Sequence, residues 1–412
     1  MKSVQALSVM LQGAKVGELA AIPRQGLFFS YDPAWLATGF NLAPFHMSFT
    51  TAPQKAADPL LFDGLPGAFS DSLPDGWGLL LMDRFFRSQL GVERHAIGPL
   101  DRLAYMGNRG MGALEYVPMI KTVDPEEELD LAALYAASQV LLSGSTDEVI
   151  TALRLAGGSP GGARPKAVMG LSPDRRRAIS SFGDMPDGYE HWLIKFRSDD
   201  EHRDVGAIEQ AYAVMATQAG VEMSESALFE VETTQGTERF FATQRFDREA
   251  GVKRHMLTAS AILYADFRSP SLDYGDLLRA AFAMSRDASQ VEKMARLMVF
   301  NALAHNRDDH AKNFSFFGDA GGWRMAPAYD LTFSTAGGRG NEHTTAFAGR
   351  GTPSRKALID VCAPFGFLEP ERYIEQTLDA FAGWRACCTD LPIDKAQSQQ
   401  ILNALNQVWT AL

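Results

Sequence analysis

Thiols are scarce in this chain: of 412 residues only Cys362, Cys387 and Cys388 carry one. Three cysteines at those spacings supply neither a disulfide framework nor a metal-ligand pattern, which fits a reducing compartment and packing roles. Long apolar runs are missing as well. No stretch of about 20 apolar residues exists, so no membrane-spanning helix is expected. The first residues contain one lysine and then the polar-interrupted Ser3-Val4-Gln5-Ala6-Leu7, where a secretory leader would have a charged and then an apolar region. No leader is expected, and the expected location is cytoplasmic. Positive charge is in the minority, 39 Lys and Arg against 50 Asp and Glu, for a formal net charge of -11. That balance argues against autonomous nucleic-acid binding and leaves room for a basic partner. There is no internal repeat and no long low-complexity tract.

What is present is an ordinary globular composition, 46% hydrophobic and 22% charged. The length exceeds what one core usually supports, so two domains or lobes are expected. Residues 4–40 alternate apolar and polar positions around Gln12-Gly13 and Pro23-Arg24-Gln25-Gly26, predicting short antiparallel strands. After the turn Gly64-Leu65-Pro66-Gly67, the segment Ser72-Leu73-Pro74-Asp75-Gly76-Trp77-Gly78 leads into helical Leu79 to Phe86. Asp124-Pro125-Glu126-Glu127-Glu128 reads as an acidic helix start. His191 to Phe196 reads as a buried strand with one charge, 206–219 as a helix, and Arg239 to Arg248 as a strand ending at a hinge. Beyond Arg248 the spacing is mainly helical, over 274–284, 288–303, 369–384 and 395–412. The parts expected are residues 1–115 as a small β-rich subdomain, 116–250 as the rest of an N-terminal lobe, and 251–412 as a helical C-terminal lobe.

The chemistry concentrates in Asn306-Arg307-Asp308-Asp309-His310-Ala311-Lys312-Asn313. A helix precedes it. A hairpin follows, with Phe314 to Phe317 as the outgoing strand, a glycine-rich turn, and Trp323-Arg324-Met325 returning. Folding that hairpin carries Asp330 back towards Asn313. One carboxylate and one Asn carbonyl suit magnesium, which keeps water and phosphate oxygens as the rest of its shell. In protein kinases the base Asp lies five residues before the metal-binding Asn, an interval that Asp308 has and Asp309 lacks. Asp308 is therefore the preferred base, with Lys312 as a cation for phosphoryl charge. Asp308, Asp309, His310 and Asp330 could instead hold two metals for phosphohydrolysis.

Upstream, four glycines stand in Gly157-Gly158-Ser159-Pro160-Gly161-Gly162, followed by Ala163-Arg164-Pro165-Lys166. Such a loop permits close backbone approach to phosphate, with Arg164 and Lys166 as neutralising cations. It matches neither the Walker nor the protein-kinase glycine pattern. Ser159 places a hydroxyl where a phosphoryl group would lie. Lys195 is either an ATP-contacting strand lysine or a lysine whose stem packs while its head reaches water. Glu209 either pairs with it or stands exposed on its helix. Residues 331–352, rich in Gly, Thr and Ser, occupy the place of a mobile kinase activation segment.

The succession of Ser159 in its glycine-rich loop, Lys195, Arg245-Phe246-Asp247-Arg248, Asn306-x-Asp308-Asp309-His310-x-Lys312-Asn313 and Ala328-Tyr329-Asp330-Leu331 resembles the HipA family of bacterial toxin kinases. Leu73-Pro74-Asp75-Gly76-Trp77-Gly78 resembles that family's N-terminal subdomain. The resemblance implies an α+β, two-lobed protein-kinase-like fold, related to phosphoinositide kinases, with an N-terminal β subdomain and a mostly helical C-terminal lobe. It further implies a Mg-ATP-dependent serine/threonine kinase acting as the toxin of a toxin-antitoxin pair. Asp308 would be the catalytic base, supported by His310 and Lys312, and Asn313 and Asp330 the Mg2+ ligands. ATP would be held by Lys195, Ser159, Gly161, Gly162, Ala163 and Lys166, with adenine at backbone groups from Gln244 to Phe246. Ser159 matches the family's autophosphorylation site, whose modification ejects the loop and switches the kinase off. The implied substrate is a serine of an aminoacyl-tRNA synthetase, typically the glutamyl enzyme, which halts translation and yields dormant, drug-tolerant cells. The implied partner is a HipB-like helix-turn-helix antitoxin, through which alone the chain would reach DNA. Pro160 and the pair Gly161-Gly162 depart from some relatives in loop geometry. The alternative reading is a catalytically weak homologue acting as a binding protein or corepressor.

Overall fold

The computed structural model describes residues 2–120, 128–143, 153, 161–182, 185–234, 236–249, 251–335, 338 and 342–412. Ser159 and most of the acidic stretch at 124–128 lie outside these residues. The described helix nearest that stretch is Leu131–Leu142, whose N-cap is Asp130, accepting from the Ala132 and Ala133 amides.

The chain divides into two compact units. The first comprises residues 1–203, 229–257 and 318–320. It begins with a four-stranded antiparallel sheet in the order Gly26–Tyr31, Ala14–Ile22, Ala6–Leu11, Leu114–Val117. The alternation seen in sequence has its physical cause here: Leu7, Val9 and Leu11 are buried while Ser8 and Met10 between them are less so. Gln12 and Gly13 both take positive φ, 48° and 80°, the backbone of a two-residue hairpin that matches strand twist. Phe29 packs on Phe69 and Tyr31 with ring centroids 4.8 Å away in each case. The helix Gly76–Leu90 buries Trp77, Leu81, Met82, Phe85 and Phe86, and stops at Gly91 in the left-handed region.

A second, five-stranded sheet runs in the order Ala178–Ser180, Lys166–Leu171, Glu190–Lys195, Gly236–Gln244, Ser226–Thr233. Its central strand buries Trp192 and Ile194, and the neighbours bury Val168, Met169, Phe240 and Ala242.

The second unit comprises residues 204–228, 258–317 and 321–412. Its axis is the helix Ala288–Leu303, in which every residue from Leu297 to Leu303 is buried. Its last two turns thus run inside the core, where Asn301 is the one polar side chain among apolar ones. Around it lie the helices Val205–Gln218, Tyr274–Ser285, Arg355–Cys362, Pro370–Ala382, Trp384–Asp390 and Lys395–Ala411. The helical pattern over 369–384 breaks at Gly383, and the short helix Arg355–Cys362 is one that periodicity did not reveal. The hairpin appears as Ser315–Asp319 and Gly322–Met325. No described helix is long and apolar enough to cross a membrane. Cys362 and Cys388 are buried, and burial pushes the Cys362 thiol up to about 12 and Cys387 up to about 11, so these are packing groups with little thiolate.

Candidate active site

In the second unit, the loop after Leu303 is set by donors that satisfy the end of the central helix. The Trp409 indole donates to the Leu303 carbonyl at 3.0 Å and the Tyr212 hydroxyl to Ala304 at 2.7 Å. Helix-end carbonyls need such partners when buried. His305 then takes φ 56°, stacks on Phe333 at 4.9 Å, and pairs through Nδ1 with the Ser334 carbonyl. Asn306 closes the turn, its amide donating to the Asn301 carbonyl and its Nδ2 to Asn301 Oδ1, both at 3.0 Å.

The two adjacent aspartates fall into opposite environments. Asp308 is exposed. Asp309 is 1% exposed and has both oxygens occupied: Oδ2 accepts from the Tyr274 hydroxyl at 2.7 Å and pairs with His343 Nδ1 at 3.0 Å, while Oδ1 accepts the Thr344 and Thr345 amides at 2.9 and 3.2 Å. Burial, with the Asp309 charge beside it, holds the Tyr274 hydroxyl well above its usual range, so it remains a donor. A two-metal reading that spends Asp309 as a ligand would break four hydrogen bonds. Among the described residues, no cluster of three or more His, Cys, Asp or Glu comes together as a metal site.

Asn313 Nδ2 donates to the Asp308 carbonyl at 2.7 Å, so a cation could meet this side chain only through Oδ1. Tyr329 bonds Ser315 Oγ at 2.6 Å and also the Lys312 carbonyl, strapping the residue before Asp330 to the residue before Asn313. Asp330 itself sits at φ 58°, a left-handed conformation that Asp tolerates better than most residues and that marks a constrained position. One Asn oxygen and one carboxylate, with no further acidic ligand, fit an ion that fills its shell with phosphate and water. The rings of His310 and Phe267 lie 5.8 Å apart, and Lys312 Nζ sits 4.3 Å from the centre of that same phenylalanine. His310 Nδ1 is buried with no hydrogen-bond partner. Phe267 had no signal in sequence.

In the first unit, the described end of the glycine-rich loop is fastened to the start of the helix Gly76–Leu90. The Gly162 amide donates to Asp75 Oδ1, the Trp77 amide to the Gly162 carbonyl at 3.0 Å, and the Trp77 indole to the Lys166 carbonyl at 3.2 Å. A Cβ at Gly76 would stand 2.4 Å from the Gly162 carbonyl oxygen. Lys166 Nζ donates back to the Gly161 carbonyl, while Ala163 is exposed. Lys166 and Lys195 are direct partners in antiparallel strands, and only 6% and 7% exposed. Direct partners project on one face with Cβ atoms about 5 Å apart. Lys195 Nζ lies 5.7 Å from the Phe241 ring centre. Glu209, in the second unit, is buried, which removes the reading of an exposed helical glutamate.

Gln244 and Phe246 line a cavity of about 1210 Å³ with Arg109, His191, Arg245 and Arg248. Asp247 holds its wall together. It accepts from Arg245 Nε and Nη2 at 2.9 and 2.7 Å, from Arg248 Nη1 at 2.8 Å and from the Gly112 amide at 2.8 Å. Burial would raise this carboxyl, but the two guanidinium groups hold it well below the usual range. Burial and the same arginines push His191 down to about 4.

The sequence model described as the HipA-like C-terminal domain matches residues 158–406, and that of the HipA N-terminal domain matches 7–117. The fold is similar to that of a Shewanella oneidensis MR-1 HipA, solved from a toxin-antitoxin system with HipB and its operator DNA. That likeness has TM-score 0.68 and 18% identity and covers 98% of this chain and 96% of that one. "Putative kinase Y4mE" of Sinorhizobium fredii is 40% identical over 74 residues, so the match spans only 17% of that relative and 18% of this chain. A Helicobacter pylori proinflammatory kinase, CtkA, aligns over 52% of this chain and 92% of its own at 10% identity and TM-score 0.31, too slight a likeness to argue from.

Proposed function

The chain belongs to the HipA family, and from that premise we propose that it is a Mg-ATP-dependent serine/threonine protein kinase serving as the toxin of a toxin-antitoxin pair. The observation that carries the reading is the buried cross-strand pair Lys166 and Lys195, immediately after a glycine-rich loop. Two lysines side by side on one face of a sheet, next to a glycine-rich loop, suit a multiply charged anion such as a nucleoside triphosphate.

Asp308, exposed at its loop tip, orients the acceptor hydroxyl and takes its proton as the oxygen joins the γ-phosphorus and the bond to the β-phosphate oxygen breaks. Asn313 Oδ1 and Asp330 would hold Mg2+, which when bound would offset phosphate charge. Lys195 and Lys166 bind the phosphates, Gly161, Gly162 and Ala163 offer backbone at close approach, and Gln244 to Phe246 receive the adenine. Lys312 and His310 complete the polar surround of Asp308. Ser159, outside the described residues, is the proposed autophosphorylation site, where added charge would expel a phosphate-cradling loop.

A HipB-like helix-turn-helix antitoxin is the proposed partner. The solved relative from a HipA, HipB and operator DNA system supports it, and the formal charge of -11 suits a basic protein. The proposed target is a serine of an aminoacyl-tRNA synthetase, whose modification would inhibit translation.

The test is intact-protein and peptide mass spectrometry after incubation with Mg-ATP, beside Asp308→Ala. Phosphate on Ser159 in the wild type alone supports kinase and self-inactivation together. Unmodified protein that labels neither itself nor any added protein would overturn the kinase reading in favour of a binding protein or corepressor.

A further inference from the structure

We propose that Asp309 is the positioning residue of this site: it fastens the segment His343–Phe347 to the loop that carries Asp308, and so fixes where an acceptor protein is presented. The inference rests on the kinase reading for its second half and on geometry alone for its first.

The burial of Asp309 sets the problem. A carboxylate 1% exposed is costly unless hydrogen bonds replace its water. Its side-chain oxygens meet a phenol, an imidazole and two successive backbone amides. Three of those four come from residues 343–345, on the far side of Asp330 in sequence. The backbone joins in, since Thr345 Oγ1 donates to the Asp309 carbonyl, and the Thr344 amide and Oγ1 both donate to the Arg307 carbonyl at 3.1 Å. Arg307 and Asp309 bracket Asp308. The segment is thus tied to both neighbours of the exposed carboxylate.

The segment is also held at its ends, by the His343 amide donating to the Gly351 carbonyl at 2.8 Å and the Phe347 amide to the Arg350 carbonyl at 2.7 Å. Its strand pairing is two residues long, Thr345 and Ala346 beside Leu272 and Asp273, and so short a pairing is marginal by itself. Phe347 adds an aromatic contact, 4.8 Å from Tyr274 and 5.0 Å from His343, which places three of the interacting groups in one cluster. Tyr274 is in turn held by Asn301 Nδ2 at 3.0 Å, so the anchor is continuous with the central helix. A chain laid along residues 343–347 therefore meets Asp308 at a distance fixed by Asp309. The expected mobile activation segment is, over these residues, a docked one.

The experiment reads amide hydrogen exchange and transfer kinetics on the full chain. In Asp309→Ala, exchange at Thr344 and Thr345 is expected to accelerate on the order of 100-fold, with the helices Tyr274–Ser285 and Ala288–Leu303 still protected. With a degenerate serine and threonine peptide mixture as acceptor, KM for peptide is expected to rise on the order of 10-fold while KM for ATP stays within about two-fold. Asp309→Asn keeps the Oδ1 acceptor, so it is expected to restore protection at both amides and most of the peptide KM. Tyr274→Phe removes one donor without removing volume and covers the case in which the alanine variant fails to fold; it is expected to move the same amides a few-fold. Unchanged exchange at Thr344 and Thr345 in the alanine variant, or in the phenylalanine variant where that one is used, overturns the anchoring. A loss of ATP hydrolysis and peptide transfer equal to that of Asp308→Ala overturns the positioning role by making Asp309 part of the chemistry. A wild type that transfers phosphate neither to itself nor to any peptide or added protein defeats the kinase reading, and the exchange result still decides the anchoring.

Discussion

Replacing Asp247 by alanine removes the acceptor shared by two buried guanidinium groups. Arg245 and Arg248 side chains are each 5% exposed, and their hydrogen bonds to Asp247 span 2.7 to 2.9 Å. Burial, together with the neighbouring Arg245, already pulls the Arg248 guanidinium down to about 10. Taking away the one carboxylate between them leaves uncompensated charge in a dry wall and orphans the Gly112 amide. Breaking a buried pair in this way costs about 3–5 kcal/mol. For a folding unit of roughly 150–250 residues that corresponds to about 6–20 °C in Tm. Calorimetry on Asp247→Ala would read it, with Asp247→Ala/Arg245→Met expected to recover part, because one of the stranded charges is gone. The cavity wall includes Gln244 and Phe246, so the variant is also expected to raise KM for ATP. A Tm within about 2 °C of wild type, below the effect of even 1 kcal/mol, would refute the reasoning.

Asp308→Ala is expected to abolish phosphoryl transfer with Tm unchanged, since it removes an exposed carboxylate and no core volume; retained transfer would remove Asp308 from the proposed role. Asp330→Ala is expected to weaken nucleotide binding in Mg2+ and leave binding in EDTA unaltered, as titration calorimetry would show; equal loss in both would place Asp330 outside the metal set. Gly76→Ala, at φ 44° and with its new Cβ against the Gly162 carbonyl, is expected to displace the loop and weaken ATP binding at least about ten-fold, for a stability loss of about 1–3 kcal/mol; unaltered affinity would detach the loop from this helix start. His191 and His255 are both held near 4 in the folded chain, mainly by burial, against about 6.5 unfolded. The unfolded chain therefore binds more protons between those values, so stability is complete above about pH 6.5 and falls towards pH 4. At pH 5 each histidine accounts for about 2 kcal/mol, somewhat less for the incompletely buried His191. Urea unfolding at pH 7 and pH 5 tests this, and a flat profile would count against it.

Local pattern and distant contact differ in how far sequence discloses them. The hairpin after Asn313 was readable because an apolar run, a glycine-rich turn and a returning apolar strand are adjacent in sequence. The first sheet and the helix Ala288–Leu303 were readable because side-chain period follows backbone geometry. The Asp308 interval singled out one aspartate by analogy, but the reason Asp309 differs was invisible. Its donors stand 34 to 36 positions away, and side-chain hydrogen bonds have no period. The Asp75 contact to Gly162 spans 87 positions and is equally silent, even though both residues sit in segments that drew notice. The short helix Arg355–Cys362 escaped because eight residues hold barely two turns of pattern. Glu209 looked like an ordinary surface charge, since burial of a helical glutamate depends on what covers it.

The two compact units are interleaved along the chain, and synthesis must respect that order. The strand Glu190–Lys195 leaves the ribosome before Gly236–Gln244, so one of its edges stays unpaired while residues 204–228, which belong to the other unit, are being made. Those residues include Tyr212, which must then wait for Ala304, 92 positions later, before its hydroxyl finds the carbonyl it satisfies. A single cut after residue 203 or after residue 257 thus frees no complete unit. A fragment ending at residue 203 lacks an internal strand, and one starting at 258 lacks a helix of its own core. Expression of the halves as separate pieces is therefore expected to fail unless both are present together.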